Sequence, residues 1–393
     1  MSETKLNIIL IGNGMYSTGR GTDGFGTIMP AIVETKRMGI NIGNVSIVGT
    51  DVDNSLTAKN KVNELLSKAG IKVGVSYFPK EKNDTEEYLK VIKKIEKPAC
   101  AIIAVPDHLH FKIAKDCLEN NIHCLLVKPF TTSLSEAKQL TDIARKKKLL
   151  ALVEFHKRWD RANISIRDSY NAGELGELLY VLVEYSQRKS IPTEIFKSWS
   201  SQTNVLNYLG VHYIDLISFI TKAKPLKAMS TGQKYFLKEK GIDTYDSVQT
   251  SIEWKALSGN TFIQTLLVNW IDPVNSSSLS DQKIKLIGTR GRYESDQKDR
   301  GLTLVTDDDP FEVLNPYFSS SFENEEGFLE WTGYGIESVR EFLLSVDSLI
   351  AEKNSLEKIS KHKPTFQEST LSSSVLEAAN LSLQKDSIWI DIA

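Results

Sequence analysis

Leu6-Asn7-Ile8-Ile9-Leu10-Ile11-Gly12-Asn13-Gly14-Met15-Tyr16-Ser17 is an apolar run that stops at a glycine turn. A run of four to eight apolar residues is too short for a helix and reads as a buried strand. The first two glycines allow a tight turn and let backbone N–H groups approach a pyrophosphate; Ser17 stands where a third glycine would ease helix packing. A strand, a glycine turn and a helix in that order open a dinucleotide-binding βαβ unit. Gly12, Asn13, Gly14, Met15 and Tyr16 are therefore candidate cofactor residues.

Reading outward, strand-like and helix-like segments alternate. Strands are expected at Leu6–Ile11, Val45–Gly49, Lys72–Tyr77, Cys100–Ala104, Cys124–Val127 and Leu149–Glu154. Helices are expected at Thr27–Arg37, Leu56–Ala69, Glu86–Ile95, Leu109–Glu119 and Leu134–Lys147. This βαβα order implies an α/β fold with a doubly wound parallel sheet over residues 1–155. Beyond Phe155 the pattern changes. Helices at Arg161–Asn171 and Leu206–Thr221 are followed by long alternating segments, Ala228–Phe236, Tyr245–Trp254, Thr261–Trp270, Gln282–Ile287 and Leu302–Val305, with one more strand at Leu178–Tyr185. Residues 156–393 are thus expected to form an α+β domain with a large, mostly antiparallel open sheet. Ile336–Ala351 and Leu371–Leu383 read as terminal helices, and Lys353–Phe366 as an exposed loop.

The 393 residues suggest two domains, with 41% hydrophobic and 25% charged residues. A net charge of −2 gives no electrostatic footprint for nucleic acid or an anionic membrane. Three cysteines, Cys100, Cys117 and Cys124, form no CxxC and suit a reducing compartment. No apolar stretch is long enough for a membrane span, and the first strand begins without a signal-like segment. A cytoplasmic protein is expected. No set of His, Cys, Asp and Glu has metal-ligand spacing, so no metal is expected.

The second strand ends in Thr50-Asp51-Val52-Asp53. An acid there accepts hydrogen bonds from the adenosine ribose. Asp51 is the candidate; an Asx turn at Asp51 and a helix N-cap at Asp53 are the structural alternatives. No cation directly follows to hold a 2′-phosphate, which favours NAD over NADP. The glycine-to-acid spacing is long because of Thr18–Gly26, which holds four glycines and Arg20. This segment reads either as a mobile surface loop or as a lid over the pyrophosphate with Arg20 as phosphate partner. Val105, Pro106, Asp107 and His110 follow the fourth strand, on the side of the sheet where ligands bind. Asp107 is also suited to capping the next helix.

Lys128 ends the fifth strand and precedes Pro129. Ligands bind outside the carboxyl ends of strands in open α/β sheets, so this lysine is aimed at a ligand. Further on, Tyr208, His212 and Asp215 are spaced to share one helix face. Histidine titrates near neutrality and suits the transfer of a hydroxyl proton.

These residues carry a resemblance. The Gly12–Gly14 turn, Pro106–His110, Val127-Lys128-Pro129, Arg158-Trp159, Gly173–Gly176, Gly210–Asp215 and Gly288-Thr289-Arg290-Gly291, in this order, resemble the Gfo/Idh/MocA family, named for glucose–fructose oxidoreductase and inositol dehydrogenase. The resemblance implies a Rossmann domain and a second domain whose open sheet mediates a homodimer or homotetramer. It also implies a last helix returning toward the first domain, and a nicotinamide between Lys128 and the helix of Tyr208 and His212. Two departures stand out. Val127 replaces the acid of the family's Glu-Lys-Pro, and Tyr208 stands where the family often has an aspartate.

The expected activity is hydride transfer between NAD and a secondary alcohol or ketone of a sugar, a sugar derivative (nucleotide-linked ones included) or a cyclitol. His212 is the expected base, with Lys128 on the same substrate oxygen and Tyr208 as third partner. Relatives that use NAD transiently in glycoside cleavage supply one alternative, and a non-catalytic sugar or nucleotide sensor another. Arg158, Trp159, Arg188, Asn204 and Trp270, with Lys128, Tyr208 and His212, are candidate substrate contacts, because tryptophan faces stack on sugar rings and polar groups bond hydroxyls.

Overall fold

The computed structural model describes residues 4–308 and 311–393, which divide into two compact units. The first comprises Met1–Phe130, Ser135–Trp159 and Tyr317–Thr370; the second comprises Thr131–Leu134, Asp160–Pro316 and Leu371–Ala393. The first unit takes in a distant segment, 317–370.

In the first unit, β1 (Leu6–Ile11), β2 (Ile42–Val48), β3 (Gly74–Phe78), β4 (Ala99–Ile103), β5 (His123–Val127) and β6 (Ala151–Glu154) form a six-stranded sheet in the order β3-β2-β1-β4-β5-β6. Every neighbouring pair is parallel. This is the doubly wound order, whose switch point lies between β1 and β4. Helices α1 (Met15–Thr18), α2 (Ile28–Arg37), α3 (Val52–Ala69), α4 (Glu87–Lys94), α5 (His110–Glu119) and α6 (Leu134–Lys146) connect the strands. Helix α3 starts early because the Asp51 side chain accepts from Asn54 N, and it stops at Gly70 in the left-handed region.

The core draws Leu6, Ile8 and Leu10 from β1, Ile28 to Val33 from α2, and Ile102 and Leu125 from the central strands. Segment 317–370 joins the unit because its later helix offers the same core an apolar stripe of Ile336, Val339, Phe342, Leu343 and Val346. These are spaced three and four apart, as a buried helix face requires.

The second unit carries helices α7 (Arg161–Asn171), α8 (Val211–Thr221) and α9 (Phe236–Glu239). Its sheet has seven strands: β7 (Leu178–Arg188), β8 (Lys224–Gln233), β9 (Ser247–Lys255), β10 (Thr261–Asp272), β11 (Ser280–Gly288), β12 (Arg292–Asp296) and, from the end of the chain, Ile390–Asp391. Only β7 and β10 pair in parallel; the other neighbours are antiparallel. Alternation is strict. Val248, Thr250, Ile252 and Trp254 of β9 and Phe262, Gln264, Leu266, Val268 and Trp270 of β10 are buried, while the residues that alternate with them are not.

Smaller elements complete the chain: β13 (Leu302–Leu304) with β14 (Glu312–Leu314), β15 (Ser320–Glu323) with β16 (Leu329–Thr332), helices α10 (Tyr334–Ile350), α11 (Leu356–Ser360) and α12 (Phe366–Gln384), and the terminal strand β17 (Ile390–Asp391). Three local expectations are corrected. Lys353–Phe366 is not all loop, because Ser355 accepts from Lys358 N and starts α11. Phe236 does not extend a strand; it opens α9, whose first backbone N–H groups converge on the buried Asp246. Strands β12 and β14 to β17 were not expected from sequence. No helix among the described residues is long and apolar enough to cross a membrane.

Candidate active site

At the switch point, Gly12 has φ +102, and a Cβ there would lie 2.0 Å from the Ala104 carbonyl oxygen. Its N–H donates to Val48 O at 2.8 Å, and Ala104 N donates to Ile11 O at 2.8 Å. Gly12 thus lets the ends of β1, β2 and β4 meet. Gly14 is different: its φ is −81, and a Cβ would meet nothing within 4 Å. Asn13 turns its amide inward to Ser55 Oγ at 3.2 Å, so only its backbone remains for a ligand. Met15 and Tyr16 open α1 and are half-buried.

The glycine-rich segment is folded against the unit. A Cβ at Gly19 would lie 2.1 Å from Gly24 O, and one at Gly26 2.5 Å from Met15 O. Phe25 meets the Trp331 ring edge-on at 6.0 Å. The segment carries Arg20 to the tip of β2, where Nε donates to Asn13 O at 3.0 Å and Nη1 to Asn54 Oδ1 at 2.6 Å. Burial lowers the Arg20 pKa and the neighbouring Asp51 charge raises it. Beside Arg20 runs an open groove of about 440 Å³, lined by Thr22, Thr57, Asn60 and Lys61 among others. Asp51, not Asp53, is the N-cap of α3; its Oδ2 accepts from Asn83 Nδ2 at 2.7 Å.

After β4, Val105 and Pro106 lead into a 3₁₀ turn at Asp107–Leu109. Asp107 does not cap α5; it lies inside that turn and accepts from His108 N at 3.1 Å. His110 is fully buried, with Nδ1 2.7 Å from Pro129 O and Nε2 3.0 Å from Val105 O. It braces the turn after β4 against the turn after β5.

Lys128 follows the last residue of β5 and is half-buried. Desolvation pushes its ammonium down to about 7, against the opposing charges of Glu154 and Asp107. An amine that changes charge near neutrality at the carboxyl end of a parallel strand is equipped to exchange a hydrogen-bonded proton with a ligand oxygen. Arg158 is buried, and its Nη1 pairs with Glu368 Oε2 at 3.1 Å. Trp159 ends a 3₁₀ turn and is half-buried.

In the second unit, Tyr208 lies in a π-helical turn, Leu206–Gly210, that runs directly into α8. Such turns are frequent at functional sites. The Tyr208 ring is half-buried among Phe196 (5.1 Å), Trp270 (5.6 Å) and Trp199 (6.1 Å). Trp270 is fully buried and donates from Nε1 to Gln187 Oε1 at 3.1 Å, so it backs Tyr208 instead of offering a face to ligand. His212 and Asp215 are both buried in α8, and the His212 ring lies 6.5 Å from that of Tyr185.

Arg188 is tied to the 273–279 loop, with Nε donating to Ser276 Oγ at 3.2 Å and Nη2 to Ser276 O. Asn204 bonds Asn380 Oδ1 at 2.8 Å and accepts from Asn207 N at 3.0 Å. Both serve the fold of this unit. Glu154, His156 and Phe196 are features that sequence reasoning passed over. A lone acid ending the run Ala151-Leu152-Val153 was the available signal for Glu154.

Two models of one family match the chain. Residues 57–155 match the Gfo/Idh/MocA oxidoreductase family's NAD-binding Rossmann fold, and residues 164–294 match its C-terminal domain. The chain belongs to the Gfo/Idh/MocA family. The Rossmann match begins past the glycine turn, beyond the lengthened Thr18–Gly26 segment.

Curated relatives of the family include the uncharacterised oxidoreductase YhhX of Escherichia coli, 30% identical over 125 residues, 31% of this chain and 36% of that protein. Glucose-6-phosphate 3-dehydrogenase of Bacillus subtilis is 23% identical over 57% of this chain and 76% of its own length. The chain spans about a fifth to a third of the length of the curated relatives it first matches. Among solved structures, an inositol dehydrogenase homologue of Azotobacter vinelandii, complexed with NADH and myo-inositol, is similar with a TM-score of 0.69. It is 17% identical and is covered over 98% of its length and 99% of this chain, a likeness of fold. The residues present fit a dinucleotide. The glycine turn lies at the switch point with open space above Gly14, an acid follows β2, and a lysine follows β5. Among the described residues no group of three or more His, Cys, Asp or Glu is arranged to hold a metal.

Proposed function

We propose that the chain is an NAD-dependent oxidoreductase acting on a CH–OH carbon of a sugar, sugar derivative or cyclitol. The observation that carries this reading is Lys128, an amine with a pKa of about 7 at the carboxyl end of β5 in a Rossmann sheet. The backbone of Gly12–Tyr16 would hold the pyrophosphate. Asp51 would accept from the adenosine ribose, with Arg20 beside it, and Val105 and Pro106 would border the nicotinamide side. When bound, the nicotinamide supplies the hydride acceptor.

His212 takes the hydroxyl proton as the alcohol is oxidised, and returns it in reverse. Lys128, as an ammonium, bonds a substrate oxygen and polarises a carbonyl for reduction. Tyr208 binds a substrate hydroxyl as donor and acceptor, since a phenol is not a carboxylate at neutral pH. Its aromatic neighbours Phe196 and Trp199 favour a substrate with an apolar C–H face, such as a sugar or cyclitol ring. Trp270 and Asn204 support Tyr208 from behind, the one by ring contact and the other by accepting from Tyr208 N, while Arg188 is tied to Ser276 and Arg158 to Glu368 in the Rossmann unit.

NAD is preferred to NADP because Asp51 repels a 2′-phosphate, with the Arg20 charge partly offsetting it. A relative that is a glucose-6-phosphate 3-dehydrogenase and a structural neighbour complexed with NADH and myo-inositol agree with this substrate class. The seven-stranded sheet exposes Leu179, Tyr180 and Ile271, which supports a homodimer or homotetramer formed through it; light scattering tests this. The three cysteines are free and buried, in keeping with a cytoplasmic setting. A panel of sugars, nucleotide sugars and inositols with NAD and NADP tests the function. Net reduced nicotinamide supports a dehydrogenase. Glycoside cleavage without it would indicate transient oxidation, and binding without either reaction would indicate a sensor.

A further inference from the structure

We propose that Glu154 is the acid partner of Lys128: a positioning residue on β6 that takes over the place left by Val127 and is held there by Ser338 and His156. The proposal rests on the role given to Lys128 above. Val127 pairs with Glu154 in the parallel register of β5 and β6. The strand before Lys128 therefore carries no acid of its own, but its neighbour brings one to the same level of the sheet.

Glu154 is 2% exposed and ends an otherwise apolar strand. A buried carboxylate costs several kcal/mol or more unless it is bonded and paired. Here Oε1 accepts from Ser338 Oγ at 2.6 Å, and His156 Nδ1 lies 3.2 Å from Oε1 and 3.3 Å from Oε2. Ser338 interrupts the apolar face of α10. The His156 ring stacks on Tyr334 at 5.7 Å and packs against Phe318 at 5.1 Å. Two neighbours thus fix the carboxylate on two sides.

The groups whose charge bears on Lys128 are Glu154 from β6 and Asp107 from the turn after β4, both raising it, with Glu154 the larger. His110, at the start of α5, feels the Lys128 charge in turn. Burial disfavours the Lys128 ammonium, and the Glu154 charge opposes that, favouring the protonated form that carbonyl polarisation requires.

The test titrates Lys128 in the cofactor-free protein, by the pH dependence of its amine-labelling rate read on the Lys128 peptide by mass spectrometry. Glu154→Gln keeps the size and the Ser338 bond but removes the charge. The expected result is a Lys128 midpoint lower by about one pH unit or more. The falling limb of carbonyl reduction should move down by the same amount, about tenfold in kcat per unit on that limb, with KM for NADH unchanged. The double variant Val127→Glu/Glu154→Gln, which puts an acid back beside the lysine, should raise the midpoint again. Should Glu154→Gln not fold, Glu154→Asp withdraws the charge by one methylene and should lower the midpoint by less. An unmoved midpoint in the folded variant overturns the proposal. A moved midpoint in a protein that oxidises nothing would instead overturn the dehydrogenase reading and leave the Glu154–Lys128 pairing standing.

Discussion

Gly12 and Gly14 lie two residues apart and should fail in opposite ways when changed to alanine. At Gly12 the added Cβ would sit 2.0 Å from Ala104 O and 2.7 Å from Ala104 C, both backbone atoms. Ordinary contact begins at 3.4 Å, so the ends of β1 and β4 would have to part by about 1.4 Å. The bonds from Gly12 N to Val48 O and from Ala104 N to Ile11 O would stretch with them. Strain at φ +102 adds ~1–3 kcal/mol and overpacking ~1–3 kcal/mol. A total of about 2–6 kcal/mol, at about 2–4 °C per kcal/mol for a unit of this size, corresponds to a Tm lower by roughly 4–24 °C. At Gly14 the backbone suits any residue and the Cβ meets nothing, so Tm should stay within about 2 °C. The methyl would instead occupy the space through which a pyrophosphate approaches, weakening NADH binding by about tenfold or more, roughly 1.4 kcal/mol. Differential scanning fluorimetry without cofactor and a fluorescence titration with NADH separate the two. A Gly12→Ala protein with unchanged Tm would refute the packing argument. A Gly14→Ala protein that binds NADH as tightly as the native chain would refute the assignment of the cofactor to this turn.

Replacing Arg20 with alanine should weaken NADH binding several-fold and NADPH binding more, because the guanidinium stands beside Asp51; parallel titrations with both cofactors check this. His110→Phe removes the buried imidazole that lies between Pro129 O and Val105 O and joins the turns carrying Val105 and Lys128, and should lower both Tm and kcat, measured by fluorimetry and steady-state kinetics. In the native enzyme, carbonyl reduction should fall as pH rises through about 7, where Lys128 loses its proton; a pH–kcat profile without a limb there contradicts this. His212→Ala should lower kcat by about 10²–10⁴ while NADH still binds, read by turnover and equilibrium titration.

The doubly wound sheet was legible because each of its strands is a short apolar run bounded by turn residues, as in Leu6–Ile11 before Gly12 and Cys124–Val127 before Lys128. The second sheet was read from period-two alternation in β9 and β10. Strands β12 and β14 to β17 were missed because they are short and half-exposed, with no alternation to read. Thr18–Gly26 reads either as a mobile loop or as a lid with Arg20 on the pyrophosphate, because sequence gives no direction to a glycine-rich segment; left-handed turns at Gly19 and Gly26 bring Arg20 to Asn54. Asp51 and Asp53 differ by which one the chain leaves in an extended conformation, and φ −127 at Asp51 makes it the cap. Trp270 was offered as a sugar platform because period-two alternation does not say which face of β10 is covered. Glu154 went unnoticed because its significance lies in its register with Val127, a relation between two strands that neither strand's own sequence displays.

The measurement closest to the central claim is nicotinamide reduction by the native chain and by Lys128→Ala, followed by absorbance across sugars, sugar phosphates, nucleotide sugars and inositols. The expected result is net NADH formed with at least one secondary alcohol, and loss of that turnover in Lys128→Ala with NAD affinity retained. Near-normal turnover in Lys128→Ala, or no reduction with any alcohol while NAD binds, would contradict it.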